Sequence, residues 1–201
     1  MLYIIQVGHN DASDRYIRNK VKAVEEAWMK ATVVNLDESC STKDVMETIF
    51  YCQANKDCKA IMVQLPLPSH LNKRLILSSI PIYLDIDGLN PYNANRRPLT
   101  PCAIMRWLKE QGVHLEGKNV TILGRSELVG KPLANLMIEA GATVTVCNSK
   151  TNPVDRKYFI GSSDIVVSAV GKPNLITYND VLYKFGIKGS IFIDVGINRD
   201  E

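Results

Sequence analysis

The chain has 201 residues, 46% of them apolar, which is enough for one large hydrophobic core or two small ones. Twenty-four basic against 21 acidic side chains leave a net charge of +3, and no run of like charge suggests a nucleic-acid tail. The five cysteines form no C-x-x-C pair and the three histidines stand apart, a pattern that argues against a disulfide framework or a zinc site and fits a reduced, cytoplasmic protein with no metal. The opening MLYIIQVG is too short for a membrane span and lacks a basic region or cleavage site, so no membrane partner is expected.

Leu2–Val7 reads as a strand followed by the turn Gly8-His9-Asn10-Asp11. Ser13–Ala27 has helical periodicity through Ile17, Val21 and Val24, and Thr32–Leu36 is a second strand. Ser41 or Thr42 can cap a helix running to about Asn55. Ala60–Val63 is a third strand, ending in Gln64-Leu65-Pro66-Leu67-Pro68, and Leu71–Ile80 a further helix before Leu84-Asp85-Ile86-Asp87-Gly88. This β-α-β-α-β series calls for a parallel sheet with helices on its faces.

From Asn90 to Pro98 the composition shifts to Asn, Arg and Pro without apolar period, which divides the chain into domains 1–99 and 100–201. Thr100-Pro101 reads as a capping hydroxyl followed by proline at the first helical position, starting a helix to about Gln111. The stretch from Asn119 opens with a strand, the apolar run Val120, Ile122 and Leu123, that breaks at Gly124 into a polar turn ending near Gly130. Leu133, Leu136, Met137 and Ala140 recur at helical spacing, Gly141 stops that helix, and Thr143–Val146 is the next strand. A helix within Pro153–Ile160, a strand at Asp164–Val170, a helix around Asn179–Phe185 and a last strand at Ser190–Val195 complete the half. The expected fold class is α/β, two three-layer domains of which the second is a Rossmann-like doubly wound parallel sheet, with the active-site cleft between them.

The strand, glycine turn, helix and strand unit around Gly124 suits phosphate binding at a helix N-terminus, though Ser126 stands where a second glycine would be expected and a turn that binds nothing is the alternative. The following strand ends Cys147-Asn148-Ser149-Lys150 without a carboxylate for ribose hydroxyls. With Arg125 in the turn, this favours NADP over NAD. In the first half, Ser13, Tyr16 and Lys20 fall at i, i+3 and i+7 on one helix face, either to meet a flat ligand ring and bring an amine to its reacting atoms or as part of a solvated basic face. Gln64 leaves a strand's carboxyl end into two prolines, where open α/β sheets put ligand contacts; a rigid loop that binds nothing is the alternative. Asp85 and Asp87 flank Ile86, either with one of them turned inward and the other to solvent or merely as turn formers.

Taken together, Ser13-x-x-Tyr16-x-x-x-Lys20, Val63-Gln64-Leu65-Pro66-Leu67-Pro68, Asp85-Ile86-Asp87-Gly88, Thr100-Pro101, Gly124-Arg125-Ser126-x-x-Val129-Gly130-x-Pro132, Ser149-Lys150-Thr151 and Asp194-Val195-Gly196-Ile197-Asn198 closely resemble the bifunctional methylenetetrahydrofolate dehydrogenase/methenyltetrahydrofolate cyclohydrolase family. The resemblance implies NADP-dependent oxidation of 5,10-methylenetetrahydrofolate and hydrolysis of the methenyl product to 10-formyltetrahydrofolate, within one-carbon metabolism and purine biosynthesis. It implies Lys20 as the catalytic lysine, Tyr16 stacked on the aminobenzoyl ring, Gln64 holding the lysine and Asp87 binding the pterin, with Ser13, Leu65 and Pro66 beside the folate. Gly124, Arg125 and Ser126 match the cofactor turn, Ser149 the adenosine phosphate and Ile197 the nicotinamide. Tetrahydrofolate derivatives are the implied partners, in a homodimer formed through the cofactor-domain strands.

The family pattern also carries a helix before the first strand and, after the last strand, a Pro-Gly-Gly-Val-Gly-Pro loop with a final helix. The chain as read has neither. It also has Trp28 where a glycine is expected after the first helix, and Leu99 where Pro-Cys-Thr-Pro would have cysteine. Two other readings are a truncated homologue acting as a non-catalytic binding protein and another NADP-dependent dehydrogenase.

Overall fold

The structure, a computed structural model, describes residues 1–93, 97–177 and 190–196, and the chain divides into two compact units, Met1–Arg97 and Pro98–Glu201. Unit 1 runs β1 (Leu2–Val7), α1 (Asp11–Glu26), β2 (Ala31–Leu36), α2 (Thr42–Ala54), β3 (Ala60–Val63) and α3 (Lys73–Ser79). Its three strands are parallel in the order β2-β1-β3, with Ile4 opposite both Val33 and Met62. The central strand is apolar on both faces because both are covered. Ile4 packs with Ile17 and Met62 on the α1 side, while Ile5 packs with Val45, Ile49 and Ile76 on the side of α2 and α3.

Unit 2 runs α4 (Leu99–Glu110), β4 (Asn119–Leu123), α5 (Gly130–Glu139), β5 (Thr143–Cys147), α6 (Pro153–Ser162), β6 (Ile165–Ser168) and β7 (Ile191–Asp194). The sheet is parallel in the order β5-β4-β6-β7. Val120, Ile122, Ile165 and Val167 bury themselves with Ile104, Leu108, Leu133 and Met137, and Leu123 and Val166 with Ile160. In each unit the chain steps from its first strand to one neighbour and then crosses to the other side. Strand order thus reverses beside β1 and beside β4, where connections diverge and leave a crevice at the carboxyl ends. Among the described residues, no helix is long and apolar enough to cross a membrane.

Helix ends follow local capping chemistry. Ser41 and Asp44 form a reciprocal capping box at α2. Asn10 accepts from the Ser13 amide at 3.2 Å, so α1 begins two residues before the start expected from apolar spacing. The cap expected at Thr100 is not found: α4 starts at Leu99, with Pro98 at the N-cap and no side-chain cap bond. Pro101 still falls in the first turn, where an amide has no intrahelical partner to lose. The expected helix around Asn179–Phe185 lies outside the described residues.

Three helices end in the same way. In α4 and α5 the amide two residues past the C-cap bonds the carbonyl five residues back, Val113 to Leu108 and Ala142 to Met137, and the left-handed residue between is Gly112 or Gly141. In α1 the same bond forms, Met29 to Val24, with Trp28 to Glu25 inside it, but the left-handed residue is Trp28, with φ of 59° and 97% exposed. A side chain in that conformation is strained, and this one gains almost no burial in return. Trp28→Gly is therefore expected to stabilise the protein by about 1 kcal/mol in chemical denaturation.

Candidate functional site

In unit 1 the site begins with how α1 is seated. Gln6, buried at the end of β1, donates from Nε2 to Asp14 in the first turn of α1, and His9 lies 3.8 Å from the same carboxylate. These contacts tie the helix start to the carboxyl edge of the sheet. They fix the face carrying Ser13, Tyr16 and Lys20. Ser13 is buried, the ring of Tyr16 is partly exposed, and Lys20 is partly buried.

Lys20 reaches the end of β3, where Nζ donates to Gln64 Oε1 at 3.2 Å and lies 3.9 Å from Met62 Sδ. Gln64 is buried, and its own amide nitrogen donates to the Leu65 carbonyl at 2.7 Å, which leaves the oxygen pointed at the lysine. The Leu65–Pro66 peptide that follows is cis. Burial pulls the Lys20 amine below the ordinary lysine range, and the nearby Asp87 carboxylate opposes part of that shift. Asp87 is pushed up from the usual carboxylate range by burial, drawn back by Lys20 and raised again by Asp85.

The two aspartates have separate work. Asp85 is the inward one, 1% exposed, and its carboxylate accepts from the amides of Leu89 (3.2 Å) and Asn90 (3.0 Å) and from Asn93 Nδ2 (3.0 Å). It is bridged to Ile61 of β3, so it organises the segment that carries Asp87. The sequence reading missed Met62, Asn90 and Asn93. The asparagines lie in or beside the stretch taken as linker, and their only signal was a pair of amides shortly after a buried acid.

In unit 2 the turn after β4 is held by close backbone approach. Gly124 has φ of 114°, and a Cβ on Gly130 would meet the Gly124 carbonyl oxygen at 2.2 Å, so the turn folds directly against the first residue of α5. Ser126, in the place of a second glycine, accepts from the amides of Val129 (3.1 Å) and Gly130 (3.4 Å) and so occupies part of the helix terminus itself. Gly124 N donates to Cys147 O at 2.8 Å, joining this turn to the end of β5. There Asn148 N donates to Thr151 Oγ1 and Lys150 N to Asn148 Oδ1, which shapes a tight loop around the exposed Ser149. Gly124, the exposed Arg125, Ser126 and Ser149 thus share one sheet edge. Ile197 lies outside the described residues.

What this arrangement can do is limited and definite. Unit 1 offers an amine of lowered basicity held by a neutral amide, suited to moving a proton. Unit 2 offers a glycine turn at a helix start carrying Arg125, with Glu127 of the turn bonded to Lys131, beside a loop at the end of β5 that has no carboxylate, a setting suited to a phosphate-bearing nucleotide. No group of three or more His, Cys, Asp or Glu able to hold a metal occurs among the described residues.

Two family models match the chain: the tetrahydrofolate dehydrogenase/cyclohydrolase catalytic domain over residues 1–87 and its NAD(P)-binding domain over residues 98–201. The chain is 41% identical to the bifunctional protein FolD of Aliarcobacter butzleri over 98% of its own length and 69% of that protein's. It is also 41% identical to FolD of Streptococcus thermophilus, over 100% and 71%. Among solved structures, FolD methylenetetrahydrofolate dehydrogenase/cyclohydrolase from Campylobacter jejuni superposes with a TM-score of 0.91 at 38% identity, covering 100% of this chain and 72% of that one. The Trypanosoma brucei enzyme, solved with NADP cofactor and inhibitor, gives 0.82 at 35%, covering 87% and 62%. The chain therefore belongs to the tetrahydrofolate dehydrogenase/cyclohydrolase family.

Proposed function

We propose that the protein oxidises 5,10-methylenetetrahydrofolate to 5,10-methenyltetrahydrofolate with NADP and hydrolyses the product to 10-formyltetrahydrofolate. The observation that carries this reading is the Lys20–Gln64 contact beside Asp87, in a unit that matches the family's catalytic domain. Residues 1–99 are the folate-binding catalytic domain and 100–201 the NADP-binding domain.

In the hydrolytic step Lys20, as the neutral amine, takes a proton from the water that adds to the methenyl carbon. A carbon–oxygen bond forms, the bond from that carbon to one ring nitrogen breaks, and Lys20 returns the proton to the departing nitrogen. The net reaction consumes one water and releases one proton. Burial is what makes the amine available as a base, and Gln64 aims it without adding charge. Asp87, whose carboxyl is itself shifted by burial, holds the pterin, and Tyr16 offers its ring to the aminobenzoyl group. Ser13 and the backbone of Leu65 and Pro66 line the folate site.

NADP, when bound, accepts a hydride. Gly124, Arg125, Ser126 and Ser149 would hold it; Ile197, expected near the nicotinamide from the resemblance, is outside the described residues. The close contact between Gly124 and Gly130 fits this group, because two positions without side chains let a ligand approach the turn's backbone, while Ser126 holds the Val129 and Gly130 amides. The product supplies one-carbon units to purine biosynthesis in the cytoplasm. A homodimer forms through the cofactor-domain strands, for which the edge strand β5 with its partly exposed Val146 is suited.

Lys20→Ala is expected to slow hydrolysis of added methenyltetrahydrofolate by about 10²–10⁴-fold while NADP affinity stays within about twofold. Equal loss of both would remove Lys20 from its role. Because the working form is the free amine and its pKa lies below the ordinary lysine value, the hydrolysis rate of the unmodified protein should rise with pH up to that pKa and then level off. Lys20→Ala should lack that limb. Arg125→Ala should weaken NADP about tenfold or more relative to NAD in equilibrium binding, as expected for loss of a charge-assisted phosphate contact.

A further inference from the structure

We propose that Arg156 is a ligand of the 2′-phosphate of NADP and helps set the preference for NADP over NAD. This rests on reading unit 2 as the NADP-binding half.

The argument starts from where α6 puts the side chain. α6 follows β5 and leads into β6, which is parallel to β4 and β5, so its N-terminus lies at the carboxyl edge of the sheet. Asn152 caps it through the Val154 amide at 2.9 Å, and the Arg156 amide makes an early turn bond to the Asn152 carbonyl, also at 2.9 Å. Four residues on, Ile160 is buried against Leu123, Cys147 and Val166. Residues four apart share a helix face, so Arg156 is on the sheet-facing side one turn nearer the ligand edge. Its charge is felt by the Cys147 thiol at the end of β5, which burial raises while Thr151 and Arg156 lower it. The guanidinium is thus beside the loop that presents Ser149.

That position is unfavourable without an anion. Arg156 Nε is buried and has no hydrogen-bond partner. A guanidinium donor removed from water and left unbonded is destabilising, and the cation also sits in the first turn of a helix, at the positive end of its dipole. Among the described residues no carboxylate lies within ion-pair distance of Arg156: Asp155 is its sequence neighbour and exposed, pointing elsewhere on the helix. Both penalties would be relieved by the same partner, a compact dianion at the edge of β5. In this fold the loop after the second strand receives the adenosine ribose, and here it carries no acid to bind a free 2′-hydroxyl. A 2′-phosphate fits the charge, the donors and the place.

The test is calorimetric binding of NADP, NAD, 2′,5′-ADP and 5′-AMP to the full chain, unmodified and as Arg156→Met and Arg156→Lys. Arg156→Met should weaken NADP and 2′,5′-ADP about tenfold or more while NAD and 5′-AMP stay within about twofold, with Arg156→Lys in between. Without ligand, Arg156→Met should melt no lower than the unmodified protein, because only an unbonded donor is lost. An unchanged NADP to NAD ratio, or equal weakening of both, overturns the proposal. If Arg156→Met does not fold, Arg156→Gln carries the same comparison. Failure of the unmodified protein to bind either dinucleotide would instead sink the cofactor reading on which this one rests.

Discussion

The bond from the Lys20 amine to the Gln64 amide oxygen is the contact on which the functional account depends. A lysine paired directly with a carboxylate would keep its proton far above neutrality. One buried among apolar atoms with no partner would be too costly to hold in place. A neutral amide avoids both extremes: it satisfies a donor without lowering the energy of the charged form as a carboxylate would. Asp87 then enters as a more distant charge that limits the shift.

The sheet makes that contact possible. In unit 1 the first strand is central, so α1 returns over one face while β3 arrives at the other side of β1, and the two bring Lys20 and Gln64 together from positions 44 residues apart. Unit 2 repeats the device with different chemistry. Its central strand β4 ends in a glycine turn, and the flanking β5 ends in a loop of short polar residues, so a helix start and a hydroxyl-bearing loop share one edge. In both units apolar strands with helices on either face leave the carboxyl edge free of packing duties.

Much of this was legible in the sequence, and the misses have physical causes. Strand β3 was read with the bounds it has, because a short apolar run between turns has little freedom to slide. The start of α1 was read late, since apolar spacing cannot register a polar cap such as Asn10. Thr100 looked like a cap because serine and threonine usually serve as one, but Pro98 already turns the chain and α4 begins at Leu99. Spacing placed Ser13, Tyr16 and Lys20 on one face but could not say what they faced. Alternation puts residues two apart on one face and so could not separate Asp85 from Asp87; what separates them is that the amides of Leu89 and Asn90 consume Asp85. Arg156 carried no signal in its own charge. What marks it is the apolar Ile160 one turn later, which shows that the arginine shares the inward face.

The most direct test of the central claim is the proton affinity of one amine. NMR titration of protein labelled at the lysine side chains, with Lys20→Met used to assign the resonance, should find Lys20 losing its proton at lower pH than the lysines on open surface. In Gln64→Leu the resonance should titrate differently from the parent, since the bond that orients the amine is gone. A Lys20 signal that titrates with the surface lysines and ignores the loss of Gln64 would contradict the account.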